Sequence, residues 1–203
     1  MISPYNGLSV EAWNVRTRQL IVEHPLDMNE LYEVVNQVWT DIFESGIGKK
    51  PFKIGVDLFP RPQVMAFFLH ELIPLEFARR YPGNWRREET SNEKDMVYIP
   101  DAKYSIEIKT SSSPKNIYGN RSYAQEVAKT KKEKSGYYLA INFEGFKSSS
   151  KKIIAKPIIT TIRFGWLDHA DWQGQSSSSG QQARLHPDVE RYKLLKLPFK
   201  DDC

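Results

Sequence analysis

Apolar residues recur at spacings of three and four from Met28 through Leu31, Val35, Val38 and Ile42, the period of one face of a helix. Asp27 stands just before this run with Glu30 three positions on, which predicts a capping box, and Gly46 and Gly48 mark the end. The stripe reads as a core face, with a dimer surface as the alternative. Ser9 predicts the cap of an earlier helix from Val10 to about His24, closed by Pro25. A third helical region starts at Pro62, with proline at the first position, and is kinked or divided at Pro74 before Leu75 to Tyr81.

Beyond Lys94 the period changes to two. Asp95 to Ile99 and Ser105 to Lys109 read as two strands, and Pro100-Asp101-Ala102-Lys103 between them has the chemistry of a tight turn. In the second strand Ile106 and Ile108 fall on one side and Ser105, Glu107 and Lys109 on the other. With the turn centred on Asp101 and Ala102, paired residue numbers sum to about 202 or 203, so Asp95 falls opposite Glu107 or Ile108. Asp101 sits at the tip, about 20 Å of strand away from Glu107.

Downstream, Tyr123 to Lys134 predicts a helix with Ala124, Val127 and Ala128 inward. Lys129, Lys131, Lys132 and Lys134 gather at its end, where cations complement the helix dipole. Tyr137 to Phe143 is apolar nearly throughout and predicts a buried strand. Lys151 to Arg163 predicts another strand, placed at an edge or bent by Pro157, and Pro187 to Lys196 a short C-terminal helix.

Composition narrows the class. The 203 residues are 40% hydrophobic and 12% aromatic, enough for one domain with a substantial core. Lys and Arg number 29 against 25 Asp and Glu, and the net charge of +4 favours a polyanionic partner. The single cysteine, Cys203, excludes an internal disulfide framework and a cysteine-based zinc site, which suits a reducing compartment. With no apolar run of membrane-spanning length and no signal-peptide pattern at the start, a soluble cytoplasmic protein with no membrane partner is expected.

Two acids and a lysine gathered on a strand pair resemble the active site of the PD-(D/E)xK nuclease superfamily, which includes most type II restriction endonucleases. Asp95 corresponds to the first acid, Glu107 to the second and Lys109 to the lysine, while the literal Pro100-Asp101 pair is set aside on the distance argument. Gly119-Asn120-Arg121-Ser122-Tyr123 and the stretch RFGWLDHADW at 163–172 are similar to the ScaI-like group within it. The resemblance implies an α/β fold with a central mixed β-sheet flanked by helices. It would form one nuclease domain over 1–203: N-terminal helices at 9–80, a catalytic core at about 85–164, and a DNA-reading loop and C-terminal helix at 165–203. It further implies Mg²⁺-dependent hydrolysis of duplex DNA, with Mn²⁺ able to substitute. The cation would be held by Asp95, Glu107 and the main-chain carbonyl of Ile108, and a further acid from a preceding helix maps onto Glu71. A homodimer on a palindromic site and a cognate DNA methyltransferase are also implied.

Candidate DNA contacts follow the same strand. Ser111, Ser112 and Ser113 can donate to phosphate oxygens, and Asn120, Arg121 and Ser122 carry donors for base edges or phosphates. Gln173, Gln175, Gln181, Gln182 and Arg184 flank a serine run; glutamine pairs bidentately with adenine and arginine with guanine. Trp85, Arg86 and Arg87 suit a phosphate backbone or a solvated turn, and Asp168, His169 and Asp171 suit a packed turn better than a metal. A structure-specific repair or junction-resolving nuclease would share the hairpin, and a non-catalytic DNA-binding module would share the basic loops.

Overall fold

The computed structural model describes residues 2–124, 132–146, 156–176 and 181–198. Most of the helix expected over 123–134, the start of the strand expected at Lys151, most of the serine run and Cys203 lie outside them. Three helices come first, α1 (Val10–Val22), α2 (Met28–Glu44) and α3 (Pro62–Arg80), with a short hairpin of β1 (Gly46–Ile47) and β2 (Phe52–Lys53) before the third. Asp27 caps α2 by accepting from the N–H groups of Asn29 and Glu30 at 2.8 and 2.9 Å, worth about 1 kcal/mol. Glu30 does not return the bond as a capping box would. Its carboxylate accepts from Tyr81 at 2.5 Å and Arg80 at 3.1 Å, tying the start of α2 to the end of α3. The α2 stripe is buried in the core, as the first of its two readings held. Pro74 does not divide the third helix: α3 runs through it, with the ring buried along with Ile73 and Phe77.

The remaining strands are β3 (Trp85–Arg87), β4 (Met96–Tyr98), β5 (Ile106–Ser111), β6 (Tyr118–Asn120), β7 (Gly136–Phe143), β8 (Ile159–Leu167), β9 (Trp172–Gly174), β10 (Gln182–Leu185) and, after helix α4 (Pro187–Tyr192), β11 (Leu194–Leu197). Six of them form a mixed sheet in the order β11-β8-β7-β5-β4-β3, with β5 and β7 parallel and every other neighbour antiparallel. All eight residues of β7 are buried. On one face Ile106, Ile108, Tyr137, Leu139 and Ile141 meet the helices in the larger hydrophobic cluster. On the other, Tyr138 and Ala140 meet Ile117, Trp172, Ala183, Leu185 and Val189. Since Glu107 and Lys109 alternate with the isoleucines and pair with Tyr138 and Ala140, they project toward this second face.

Four expectations are corrected. β8 is an interior strand, because Pro157 falls ahead of it and the C-terminal segment returns as β11 instead of continuing the helix beyond Tyr192. That return is close: a Cβ on Gly165 would stand 2.0 Å from the Lys193 carbonyl oxygen, so only glycine fits there in the RFGWL stretch. Within the polar stretches expected to be loops at 113–122 and 173–184, residues 118–120, 173–174 and 182–184 belong to one three-stranded sheet, β6-β10-β9, in which the strands supply one another's backbone partners. Trp85 is buried, Arg86 pairs with Glu93 and Arg87 with Glu71, so this trio serves the fold. The acids of RFGWLDHADW are packed as the turn reading held: Asp168 and Asp171 hold buried Lys193 at 3.2 and 2.8 Å. No helix among the described residues is long and apolar enough to cross a membrane.

His24 makes the fold pH-sensitive. Its ring is buried against Tyr137 and Phe164, with Nε2 3.0 Å from the Tyr104 carbonyl and Nδ1 accepting from the Leu26 N–H at 3.2 Å. A carbonyl on one side and an N–H on the other select the neutral tautomer, and burial lowers the imidazole from 6.5 to about 4. Between these values the unfolded chain takes up a proton that the folded chain refuses, so stability is full above pH 6.5 and falls as pH drops toward 4. A loss of about 3 kcal/mol from this group is expected across that window, read by urea unfolding. A His24→Gln variant that keeps the whole acid-side slope would assign it elsewhere.

Candidate active site

The hairpin has the expected register. Met96 pairs with Ile106, which places Asp95 beside Glu107, and the Asp95 Oδ2 accepts from the Ile108 N–H at 2.6 Å. Asp101 is exposed at the tip, where it accepts from the Lys103 N–H at 2.9 Å and caps the 3-10 turn of Ala102–Tyr104. Glu107 is only 1% exposed. Its Oε1 accepts from Lys109 at 2.6 Å and from the Tyr123 hydroxyl at 2.5 Å, and its Oε2 lies 2.8 Å from Lys132 Nζ. Lys109 also donates to the Ile108 carbonyl at 3.2 Å and lies 4.6 Å from the centre of the Tyr123 ring. The two acids, the lysine and the Ile108 carbonyl are thus brought into one place.

The neighbours explain the charge state. Burial alone would raise the Glu107 carboxyl, but Lys109, Lys132 and Lys94 overcome it and hold the group well below the usual carboxylate range. Burial would lower Lys109 and Lys132, yet Glu107 and Asp95 keep both above the ordinary lysine value. Lys94, whose Nζ has no hydrogen-bond partner among the described residues and lies 5.1 Å from the Tyr138 ring centre, is lowered by burial to about 8. Tyr123 is raised by burial, so its hydroxyl stays protonated and donates.

From α3 it is His70 that reaches the acids, with Nδ1 3.6 Å from Asp95 Oδ2 and Nε2 3.5 Å from the Thr110 hydroxyl. Its neighbour Glu71 is turned to Arg87 at 3.1 Å. His70, Tyr123, Lys132 and Lys94 were not assigned to the site from the sequence. For Lys132 a signal existed: a chain entering a strand parallel to β5 arrives at the same end of the sheet as Glu107.

The candidate DNA contacts separate. Asn120, Gln182, Arg184 and Gln173 are exposed, and register pairs Gln182 with Asn120 and Arg184 with both Tyr118 and Gln173, so they share one face of the small sheet. Gln175, Gln181 and Ser122 are exposed nearby and Arg121 is partly covered. Ser111 instead is buried and braces its own loop, accepting from the Ser113 N–H at 3.0 Å, and Ser112 is exposed. Buried Asn142 donates to the carbonyls of Ser113 and Asn116 and accepts from Arg163 at 2.9 Å, which anchors this loop from below.

The donor set suits a hard divalent cation. The free oxygens of Asp95 and Glu107 are close enough to share one cationic atom, Lys132 Nζ, at 3.4 and 2.8 Å. Among the described residues no group of three or more His, Cys, Asp or Glu side chains is set for a metal, so main-chain oxygen and water would complete the shell.

A mixed sheet with a parallel central pair, flanked by helices and bearing two carboxylates and a lysine on one hairpin, is the arrangement of a restriction-endonuclease-like core. The family model of the ScaI restriction endonuclease matches residues 3–198. The chain is also 49% identical over 196 residues to the type II restriction enzyme ScaI of Streptomyces caespitosus, an alignment covering 96% of this chain and 84% of that enzyme. The chain therefore belongs to the ScaI restriction endonuclease family and is a type II restriction endonuclease in class. No solved structure matched it.

Proposed function

We propose that the chain cuts both strands of duplex DNA at a specific sequence in a Mg²⁺-dependent reaction, with Mn²⁺ able to substitute, and that Asp95, Glu107 and the Ile108 carbonyl hold the cation. The observation that carries this reading is the pair of carboxylate oxygens on Asp95 and Glu107 that converge on a single cationic atom. A bound divalent ion supplies Lewis-acid charge that makes a water nucleophilic and screens the phosphate. The chain's own residues supply the rest. The Ile108 N–H fixes the Asp95 carboxylate, Tyr123 fixes Glu107, and Lys109 places an ammonium where charge develops on the phosphate and can orient the attacking water.

The exposed face of Asn120, Gln173, Gln182 and Arg184 suits base edges, with Gln175, Gln181, Arg121, Ser112 and Ser122 around it. Two cuts on opposite strands are most simply made by a two-fold homodimer on a palindromic site. A cognate DNA methyltransferase would protect the host's own copies, and the cytoplasm is where both would meet DNA.

The test is digestion of unmethylated plasmid and phage DNA with Mg²⁺, with Mn²⁺ and with EDTA. Discrete fragments that need the cation are expected, and mapping their ends gives the site. Cutting confined to branched substrates would favour a junction-resolving nuclease, and binding without cutting a non-catalytic module.

A further inference from the structure

The oxygens of the two acids are not equivalent. Asp95 Oδ2 is committed to the Ile108 N–H, and Glu107 Oε1 to Tyr123 and Lys109. The two that remain, Asp95 Oδ1 and Glu107 Oε2, face Lys132 Nζ at 3.4 and 2.8 Å. Glu88 stands 3.8 Å from the same nitrogen, and burial raises its carboxyl. Among the described residues Lys132 is the cation that touches both acids. Lys109 reaches only Glu107, and His70 reaches only Asp95. Lys132 is also placed to leave: it is more exposed than Lys109 and stands on the approach to β7, outside the strand itself.

We propose that Lys132 is a resident counter-ion that occupies the place of the divalent cation until the metal arrives, and that it lets the metal-free enzyme bind DNA. The inference rests on Asp95 and Glu107 being the cation's ligands. Without a cation between them, two carboxylates would face a phosphodiester and repel it. With Lys132 there, the acids are screened, and the partly exposed Lys132 ammonium is the charge that meets the backbone. Metal entry then requires the ammonium to withdraw along its flexible stem, so metal affinity is weakened by the same residue that permits metal-free DNA binding. The helix-dipole role expected from sequence involves neither acid and makes no such demand.

Mn²⁺ alone is the first probe, titrated against protein without DNA and followed by the paramagnetic signal of the free ion. Lys132→Gln is expected to bind Mn²⁺ about tenfold tighter than the wild type, the sign reversed from that of a lysine that merely supports the site. The second probe is a linear duplex carrying a mapped cleavage site, in EDTA. The wild type is expected to bind it, Lys132→Gln to bind about tenfold more weakly, and Ca²⁺ to restore the variant. Equal or weaker Mn²⁺ binding by Lys132→Gln, with Glu107→Gln still abolishing binding, overturns the counter-ion role and leaves the metal ligands standing. Wild-type Mn²⁺ affinity in Glu107→Gln removes the ligand assignment, and this inference with it. Lys132→Arg keeps the charge and covers a glutamine variant that does not fold: it is expected to retain DNA binding in EDTA, and its loss of that binding overturns the proposal as well.

Discussion

Glu107→Ala is expected to lose cleavage by about 1,000-fold or more and also to melt roughly 10 °C lower than the wild type in metal-free buffer. The second effect is the unusual one. Acids gathered for a metal usually repel each other before it arrives, and removing one then stabilises the fold. Here Glu107 is buried and carries Lys109 and Lys132 within 3 Å, with Lys94 also acting on it. Its removal strands charged ammonium groups in a poorly solvated site, a change that costs about 3–5 kcal/mol when a buried pair is broken. Glu107→Gln keeps the acceptor for Tyr123 and is expected to melt between the two while cutting no better than the alanine variant. Thermal melts in EDTA beside cleavage assays in Mg²⁺ measure both. An alanine variant as stable as the wild type would mean that the lysines find other partners or leave the site.

The second large effect is a contrast between two aspartates six residues apart. Asp95→Ala is expected to abolish cleavage, again by about 1,000-fold, because it removes one of the two converging carboxylates. Asp101→Ala is expected to cut within about twofold of the wild type and to lose at most about 1 kcal/mol, the worth of a cap on an exposed turn. The same plasmid digest reads both variants. Cleavage by Asp95→Ala with loss in Asp101→Ala would place the catalytic acid at the hairpin tip and overturn the assignment.

What was legible in the sequence was local. The register of the hairpin carrying Asp95 and Glu107 follows from a turn and two alternating arms. The α2 helix follows from a period of three and four behind Asp27, and β7 from an uninterrupted apolar run. The parallel pairing of β5 with β7 fits the central mixed sheet that the resemblance implied. What escaped was non-local. β6 and β10 are each three or four residues long and separated by some sixty positions, so neither shows a strand pattern until the other is beside it. β11 pairs with a strand some thirty positions earlier, while its own residues share a helical spacing with α4. Within the site the missed residues were those whose bland explanation was complete. Lysines at a helix end, an aromatic at a helix start and a histidine on an amphipathic helix all have ordinary roles, and only the fold brings Lys132, Tyr123 and His70 to the acids.

Tyr123 joins two parts of the molecule, the buried acid and the small sheet. Its hydroxyl holds Glu107, while its ring lies 5.2 Å from that of Trp172, on the strand carrying Gln173. Gly119 is confined between those two rings, since a Cβ there would stand 3.0 Å from Trp172 and 3.3 Å from Tyr123. The sheet proposed to read bases therefore rests on the residue that steadies Glu107. Descendants that drift toward new target sequences can vary Asn120, Gln182 and Arg184 on the outer face, but a wholesale exchange of the segment would disturb Glu107. New specificity in this lineage is thus expected to arise by stepwise substitution on a retained Gly119–Tyr123–Trp172 frame, and not by transplanted modules.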